Sequence, residues 1–460
     1  MSEFATSNTE SQPSALEPSV VSDDLRERLY QFLLPLLTML DCLIDVRLVR
    51  TFWQSIETIL LFRNRTQGLL LSELGGYLLS PAHAPAGTKR LSNLLRCDKW
   101  ASDLVGDYLW KQAAKRQEQL HEEGKEAFLL WDESVNEKPE SRKVEGLCPV
   151  RSSKAQRLAR SRPGLPSRPV FVNGFQWMGL LLIGMSGSPT VAFMQWFTTR
   201  TTRDTKEKKQ ATDLVSVRYA LLKKCWAAWQ DRVLHLFDRG YASAKWIEAG
   251  VEFKLRFVLR WPKRHKLLSP DGDEKHAWQL FQGKPAWDER MIRDTVQNKT
   301  RRLGILATLV EHPQLPNVAL WLVCARPGDG KEPWYLLTTE PIRNADDAFR
   351  IVLAYARRWQ IEMAFRFGKS ELAMESPRLW TLERRTKMLM LVTLAYAFLL
   401  SLLDDSLVTL RTWVLDTYCH RTGKRCREAK APLYRLRIAI SRLWQEHPEP
   451  RELYKIQSSG

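Results

Sequence analysis

From Pro169 to Thr199 the chain runs without one charged side chain, although the protein otherwise carries 70 Lys and Arg and 52 Asp and Glu. A stretch of that kind must leave water, so it either crosses a bilayer or lies inside a folded core. Gly184 and the triplet Gly187-Ser188-Pro189 interrupt it, which reads as two buried strands, about Phe175 to Ile183 and Thr190 to Phe197, joined by a turn. The second uncharged stretch, Met388 to Leu403, is short for a bilayer and suits a buried helix. Neither is expected to span a membrane. The chain must instead build a large core from strands and helices together.

Around that centre the patterning divides the chain. Residues 1–22 are rich in Ser, Thr, Glu and Pro, lack Lys and Arg, and read as a disordered leader. From Asp23-Asp24 apolar residues recur at helical spacing, giving an all-helical segment over 23–125. Its later part carries Lys89, Arg90, Lys111 and Lys115 among Trp100, Tyr108 and Trp110, which suits either an ordinary amphipathic bundle or a DNA-docking module. Over 126–260 the order is β, β, β, α, β, α, β: a short run ending at Trp131-Asp132, the two strands above, a charged helix over 204–230, the strand Val233 to Phe237, a helix near 243–249 and a strand over 253–259. The segment 261–341 loses helical periodicity and reads as a β-rich insertion. Residues 342–405 hold two helices, at 344–372 and 388–403, and 406–460 form a basic helical tail.

The net charge is +18 with a sequence pI of about 9.6. An excess of that size favours a polyanionic partner, nucleic acid ahead of an anionic membrane surface. Seven scattered cysteines without a CxxC pair point to a reducing cytoplasmic compartment. Cys419, His420 and Cys426 lack a fourth ligand and are not expected to hold zinc. No basic region precedes an apolar stretch at the N-terminus, so a signal peptide is not expected.

Two acidic residues stand where strands end, Asp132 and Asp238, and strand ends open onto the ligand crevice of an α/β sheet. Either alone would serve equally well as a turn or cap residue. The helix over 344–372 adds Tyr355, Arg358, Glu362 and Lys369, which helical geometry confines to a sector of about 60°. A surface ion-pair stripe would have the same spacing. The joint use that fits the charge balance is metal binding by the carboxylates, with the cations and the phenol gripping phosphate oxygens. Three carboxylates without a His or Cys partner suit hard divalent cations: Mg2+, with Mn2+ as a substitute, two ions bridged by Asp132. A P-loop, a nucleophile elbow and a dinucleotide fingerprint are all missing, which leaves phosphoryl transfer.

The segment Trp334 to Pro341, followed by Tyr355-Ala-Arg-Arg-Trp-Gln-Ile-Glu362 and Lys369, resembles the Tyr-x2-Arg-x3-Glu-x6-Lys signature of bacterial cut-and-paste DDE transposases of the insertion-sequence-four superfamily. Phe237-Asp238-Arg239-Gly240-Tyr241 is similar to the motif around the second catalytic aspartate of these enzymes, and Leu130-Trp131-Asp132 sits where the first is expected. The similarity covers about 125–405. It implies an RNase H-like catalytic core, a mixed five-stranded sheet with helices on both faces, interrupted by the β-rich insertion. It further implies that Asp132, Asp238 and Glu362 are the catalytic, metal-binding triad and that Tyr355, Arg358, Lys369 and Arg239 contact DNA. Trp334 holds the position of a tryptophan that meets a flipped base in members that cut through a DNA hairpin. Terminal inverted repeats and target DNA, a homodimeric synaptic complex and a bacterial, nucleoid-associated location belong to the same expectation. The segment after Asp132 departs from the hairpin-forming members, and Glu133 offers a rival ligand. Two alternatives share the fold: a nuclease without strand transfer and a non-catalytic DNA-binding protein.

Overall fold

The computed structural model describes residues 17–62, 68–160, 169–200, 202–203, 208–209, 213–294, 299–328, 330–419 and 433–448. Five helices lead, α1 (Pro18–Asp41), α2 (Val46–Leu61), α3 (Leu71–Leu78), α4 (Ala84–Arg96) and α5 (Ser102–Glu122). α1 starts at Pro18, inside the expected leader, because proline is well suited to the first helical position, where its missing N–H has no partner to lose; residues 1–16 lie outside the described residues.

Strands follow: β1 (Ala127–Glu137), β2 (Cys148–Arg151), β3 (Phe171–Gly184) and β4 (Thr190–Phe197), with α6 (Ser153–Arg160) between β2 and β3. A two-residue ribbon, β5 (Thr202–Arg203) with β6 (Lys208–Lys209), precedes α7 (Leu214–Trp229); the expected start of that helix at 204 lies outside the described residues. Then come β7 (Val233–Phe237), α8 (Ala244–Glu252), β8 (Arg256–Arg260), β9 (Lys266–Leu268), β10 (Glu274–His276), β11 (Asp288–Asp294), β12 (Lys299–His312), β13 (Leu315–Pro327) and β14 (Trp334–Thr338). Helices α9 (Ala345–Ala356), α10 (Trp359–Arg366), α11 (Leu382–Ser401), α12 (Val408–Tyr418) and α13 (Leu433–Glu446) close the described chain.

One mixed sheet runs through the molecule in the order β10-β9-β12-β13-β14-β8-β7-β1-β3-β2, with β4 joined to β3 and β11 to β12. β1, β7 and β8 are parallel to one another, and β3 and β14 flank them antiparallel. The strands assigned to an insertion therefore extend the same sheet, through the pairing of β14 with β8. The entirely buried run Val233 to Phe237 is what a parallel strand needs, since helices cover both of its faces.

Strand alternation sorts the side chains between two cores. Phe128 and Leu130 join a cluster with the N-terminal helices, α9, α10 and α11, whereas Leu129 and Trp131 join one with α7 and α8. α11 starts six residues before the expected uncharged stretch and is buried all round from Arg385 to Leu400, as the uncharged run from Met388 anticipated. No single described helix is long and apolar enough to cross a membrane; α11 with α12 meets that test only as a pair bent by 75°. Trp100 and Tyr108 are buried, and Trp110 stacks on Trp229 at 4.3 Å, so these aromatics hold the helices to the core.

Candidate active site

The parallel pairing of β1 with β7 lasts only from Ala127 to Leu130. Beyond it β1 continues to Glu137, so Asp132 stands within a strand and not at its end; what ends there is the neighbouring strand β7. The result is still a crevice edge. Asp238 follows β7 directly and caps the short turn Arg239–Tyr241, its Oδ1 accepting from Gly240 N at 2.7 Å.

The third element differs from the single helix expected. α9 stops at Ala356, the backbone tightens at Arg357 and Arg358, α10 starts at Trp359, and Phe367–Glu371 form a π turn. The tightening is visible in Arg357 N to Ala354 O and Arg358 N to Tyr355 O, both 3.0 Å. α10 lies close on the sheet because Gly179, the partner of Asp132 in the β1–β3 register, leaves room for Phe365: a Cβ at residue 179 would stand 2.8 Å from the Phe365 ring. Gly368 makes the same allowance for Trp177, which meets Phe365 edge-on at 5.0 Å.

That seat brings Asp132, Arg358 and Glu362 together. Arg358 donates from Nη1 to Asp132 Oδ2 at 3.3 Å and from Nη2 to Glu362 Oε1, and its guanidinium lies 5.8 Å from the Tyr355 ring centre. Asp132 is pushed up to about 7, chiefly by burial; Arg358 opposes the shift, and the charges of Asp238 and Glu362 add to it. Asp132 thus feels the charge of both other carboxylates. Arg358 is raised above the usual arginine range although burial works against its charge, because Tyr355, Asp132 and Glu362 hold the proton on. Burial pushes the Tyr355 hydroxyl to about 12, against the pull of Arg358 and Arg260.

The remaining expected residues are placed less uniformly. Trp334, half-buried at the start of β14, meets Tyr355 edge-on at 5.7 Å, and Arg260 covers its ring at 5.1 Å, so its face is occupied by a guanidinium. Arg239 is exposed beside Asp238. Lys369 sits in the π turn, 3.5 Å from Glu375. Glu133 is no rival ligand: as the next residue on the strand it points to the other core, where Arg218 grips it with two bonds (2.6 and 3.0 Å) and the Tyr241 hydroxyl donates to it at 2.9 Å. Arg260 was missed from the sequence, yet it ends the apolar strand β8 just as Asp238 follows β7, and the same strand-end rule points to it.

Oxygen donors with a surplus of negative charge suit a hard divalent cation. The buried, raised Asp132 is the observation in its favour. Among the described residues no three His, Cys, Asp or Glu side chains stand close enough to hold a metal ion as they are, since the Arg358 guanidinium lies between Asp132 and Glu362. Of Cys419, His420 and Cys426, which are not expected to hold zinc, His420 and Cys426 lie outside the described residues.

Residues 191–398 match the family model of the transposase DDE domain, which supports a DDE transposase. The matched stretch takes in Asp238, Arg358 and Glu362 and begins in β4, after Asp132. No curated protein matches the chain.

Proposed function

We propose that the protein is a metal-dependent DNA transposase whose catalytic carboxylates are Asp132, Asp238 and Glu362. The observation that carries this reading is the gathering of Asp132 and Glu362 around Arg358, with Asp238 in electrostatic reach, in a chain that matches the transposase DDE domain. The strand order β4-β3-β1-β7-β8, three antiparallel strands followed by two parallel ones, supports an RNase H-like core.

Asp132, Asp238 and Glu362 would hold Mg2+, or Mn2+ in its place, in a two-ion site. When bound, such ions activate the attacking oxygen and neutralise the leaving one. The chain's own part is electrostatic. Arg358 holds Asp132 and Glu362 in place and would offer its guanidinium to a phosphate bound beside them. Arg239 and Lys369 offer charge to the backbone of the terminal repeats on either side, and Tyr355 a hydroxyl. Base capture by Trp334 would require Arg260 to leave its ring. Cleavage, direct or through a hairpin, would be followed by joining of the 3′-OH to target DNA within a homodimer, in the bacterial cytoplasm.

The test is incubation of the protein with Mg2+, a labelled duplex bearing its flanking repeat and a target plasmid, resolved on a denaturing gel. Cuts at the repeat end together with joined products are expected. Cuts without joining would make it a nuclease, and tight binding without cutting a recognition protein.

A further inference from the structure

About 20 Å further along β1 from Asp132, at the usual strand rise, the connection after β1 faces the connection before α11 across a cleft of about 880 Å³. Its walls carry Lys138, Arg142, Lys143, Arg378 and Arg385, with Trp380 at the mouth. The acidic side chains on the walls are Glu137, which accepts from Ser152 Oγ at 2.8 Å, and Glu140, which is exposed.

Arg385 is the anomaly. It is 2% exposed, and its Nε donates to Leu379 O at 2.6 Å. Its Nη1 is buried without a hydrogen-bond partner and no carboxylate pairs with it among the described residues. Lys138 is half-buried; it feels Arg385 as a like charge and only Glu375 as an opposite one, and burial leads in pulling its ammonium down to about 8. The Phe175 ring, 5.5 Å from the Arg385 guanidinium, offsets part of that burial, but a guanidinium buried without a counter-charge and facing a second cation still gains from an anion that completes the set. The walls are fixed to one another: Glu145 N donates to Trp380 O and Leu382 N to Glu145 Oε2, both 3.0 Å, while Asn173 Nδ2 donates to Ser141 O at 2.9 Å. Trp380, 65% exposed, presents an indole beside the charges.

We propose that this cleft is a second nucleic-acid site, in which Arg385 and Lys138 grip a backbone phosphate of a DNA strand and Trp380 stacks on an unpaired base next to it. The proposal rests on the reading that the protein acts on DNA. The distance to Asp132 corresponds to about six stacked base steps, so one strand can pass from the carboxylates to the cleft along β1. Phosphate binding alone would use the cations, and the exposed indole adds what a nucleic acid brings and an inorganic anion lacks.

The test uses the full-length protein without divalent metal: anisotropy of a labelled single-stranded oligonucleotide over a salt series, with labelled heparin in parallel. Lys138→Gln should weaken oligonucleotide binding about fivefold or more and lower the salt slope by about one, with Lys138→Arg restoring both. Trp380→Ala should weaken it about fivefold or more at every salt concentration, leaving the slope and heparin binding unchanged. Unaltered binding in Lys138→Gln and Trp380→Ala overturns the proposal. A loss confined to Lys138→Gln and shared by heparin overturns it too, reducing the cleft to a general anion contact. Because no cleavage is read, failure of the transposase reading would show separately, as wild-type protein that does not cut with Mg2+.

Discussion

At the scale of single residues the molecule's most telling feature is a carboxylate that is held where it is costly. Asp132 has a side chain 15% exposed and a pKa raised from 3.8 to about 7. An acid raised on folding destabilises the folded state as it ionises, so the cost is absent below about pH 4, grows between pH 4 and 7, and is complete above. Metal-free Asp132→Asn should therefore melt a few degrees above wild type at pH 8, by up to about 4 kcal/mol, and level with it near pH 4. Adding Mg2+ at pH 8 should raise the melting temperature of wild type but not of this variant; equal shifts in both would place the cation elsewhere. Glu133 makes the contrasting case. Its carboxylate is engaged by Arg218 and Tyr241 on the opposite face, so Glu133→Gln should lose about 1–2 kcal/mol in thermal melts and keep wild-type cleavage rates. Asp132 and Asp238 were legible as acidic residues beside strand ends. The bridging of Arg358 was half legible, since its spacing to Glu362 is local whereas its bond to Asp132 depends on how α10 meets β1. Arg385 and Lys138 were not legible as a pair, because nothing local relates them.

At the scale of elements, the site depends on how closely a broken helix approaches the sheet. Gly179 and Gly368 let Phe365 and the π turn settle against β3, and this seat fixes Glu362 near Asp132. Gly179→Leu should push α10 outward and reduce cleavage at least a hundredfold, the order expected from an ångström-scale misplacement, while leaving far-UV circular dichroism essentially that of wild type. Unchanged cleavage would show that the seat does not position the carboxylate. The break at Arg357 and Arg358 could not be read from the sequence, because apolar and polar residues keep helical spacing straight through it. β7 and β4 were read to the residue, β7 because it is buried throughout and β4 because it follows the Gly187-Ser188-Pro189 turn and largely alternates between buried and half-buried positions. β2, β9 and β10 were missed because each is only three or four residues long and partly exposed, too short for a period to show.

At the scale of the whole molecule, the two ends of the described chain hold each other. Arg26, 5% exposed, donates to Ser22 Oγ (2.7 Å), His447 O (3.0 Å) and Glu57 Oε1 (3.0 Å) and lies 5.3 Å from the Trp444 ring centre; Ser441 Oγ donates to Leu61 O at 2.9 Å. The segment expected as a basic tail thus includes a helix, α13, that completes the N-terminal helical core. Arg26→Ala removes the counter-charge of Glu57 and the hydrogen bonds to Ser22, His447 O and Trp444 O, and should destabilise the protein by about 3 kcal/mol in denaturant unfolding; a change below 1 kcal/mol would mean that the ends are not joined in this way.

Asp132, Asp238 and Glu362 are proposed to act together on DNA. The most direct test is the Mg2+-dependent cleavage rate of a repeat-end duplex for wild type and for Asp132→Ala, Asp238→Ala and Glu362→Ala, with DNA affinity measured alongside. Each variant should lose cleavage by at least a thousandfold and keep DNA binding within a few fold. Cleavage retained by any one of them would remove that residue from the site and overturn the proposed triad.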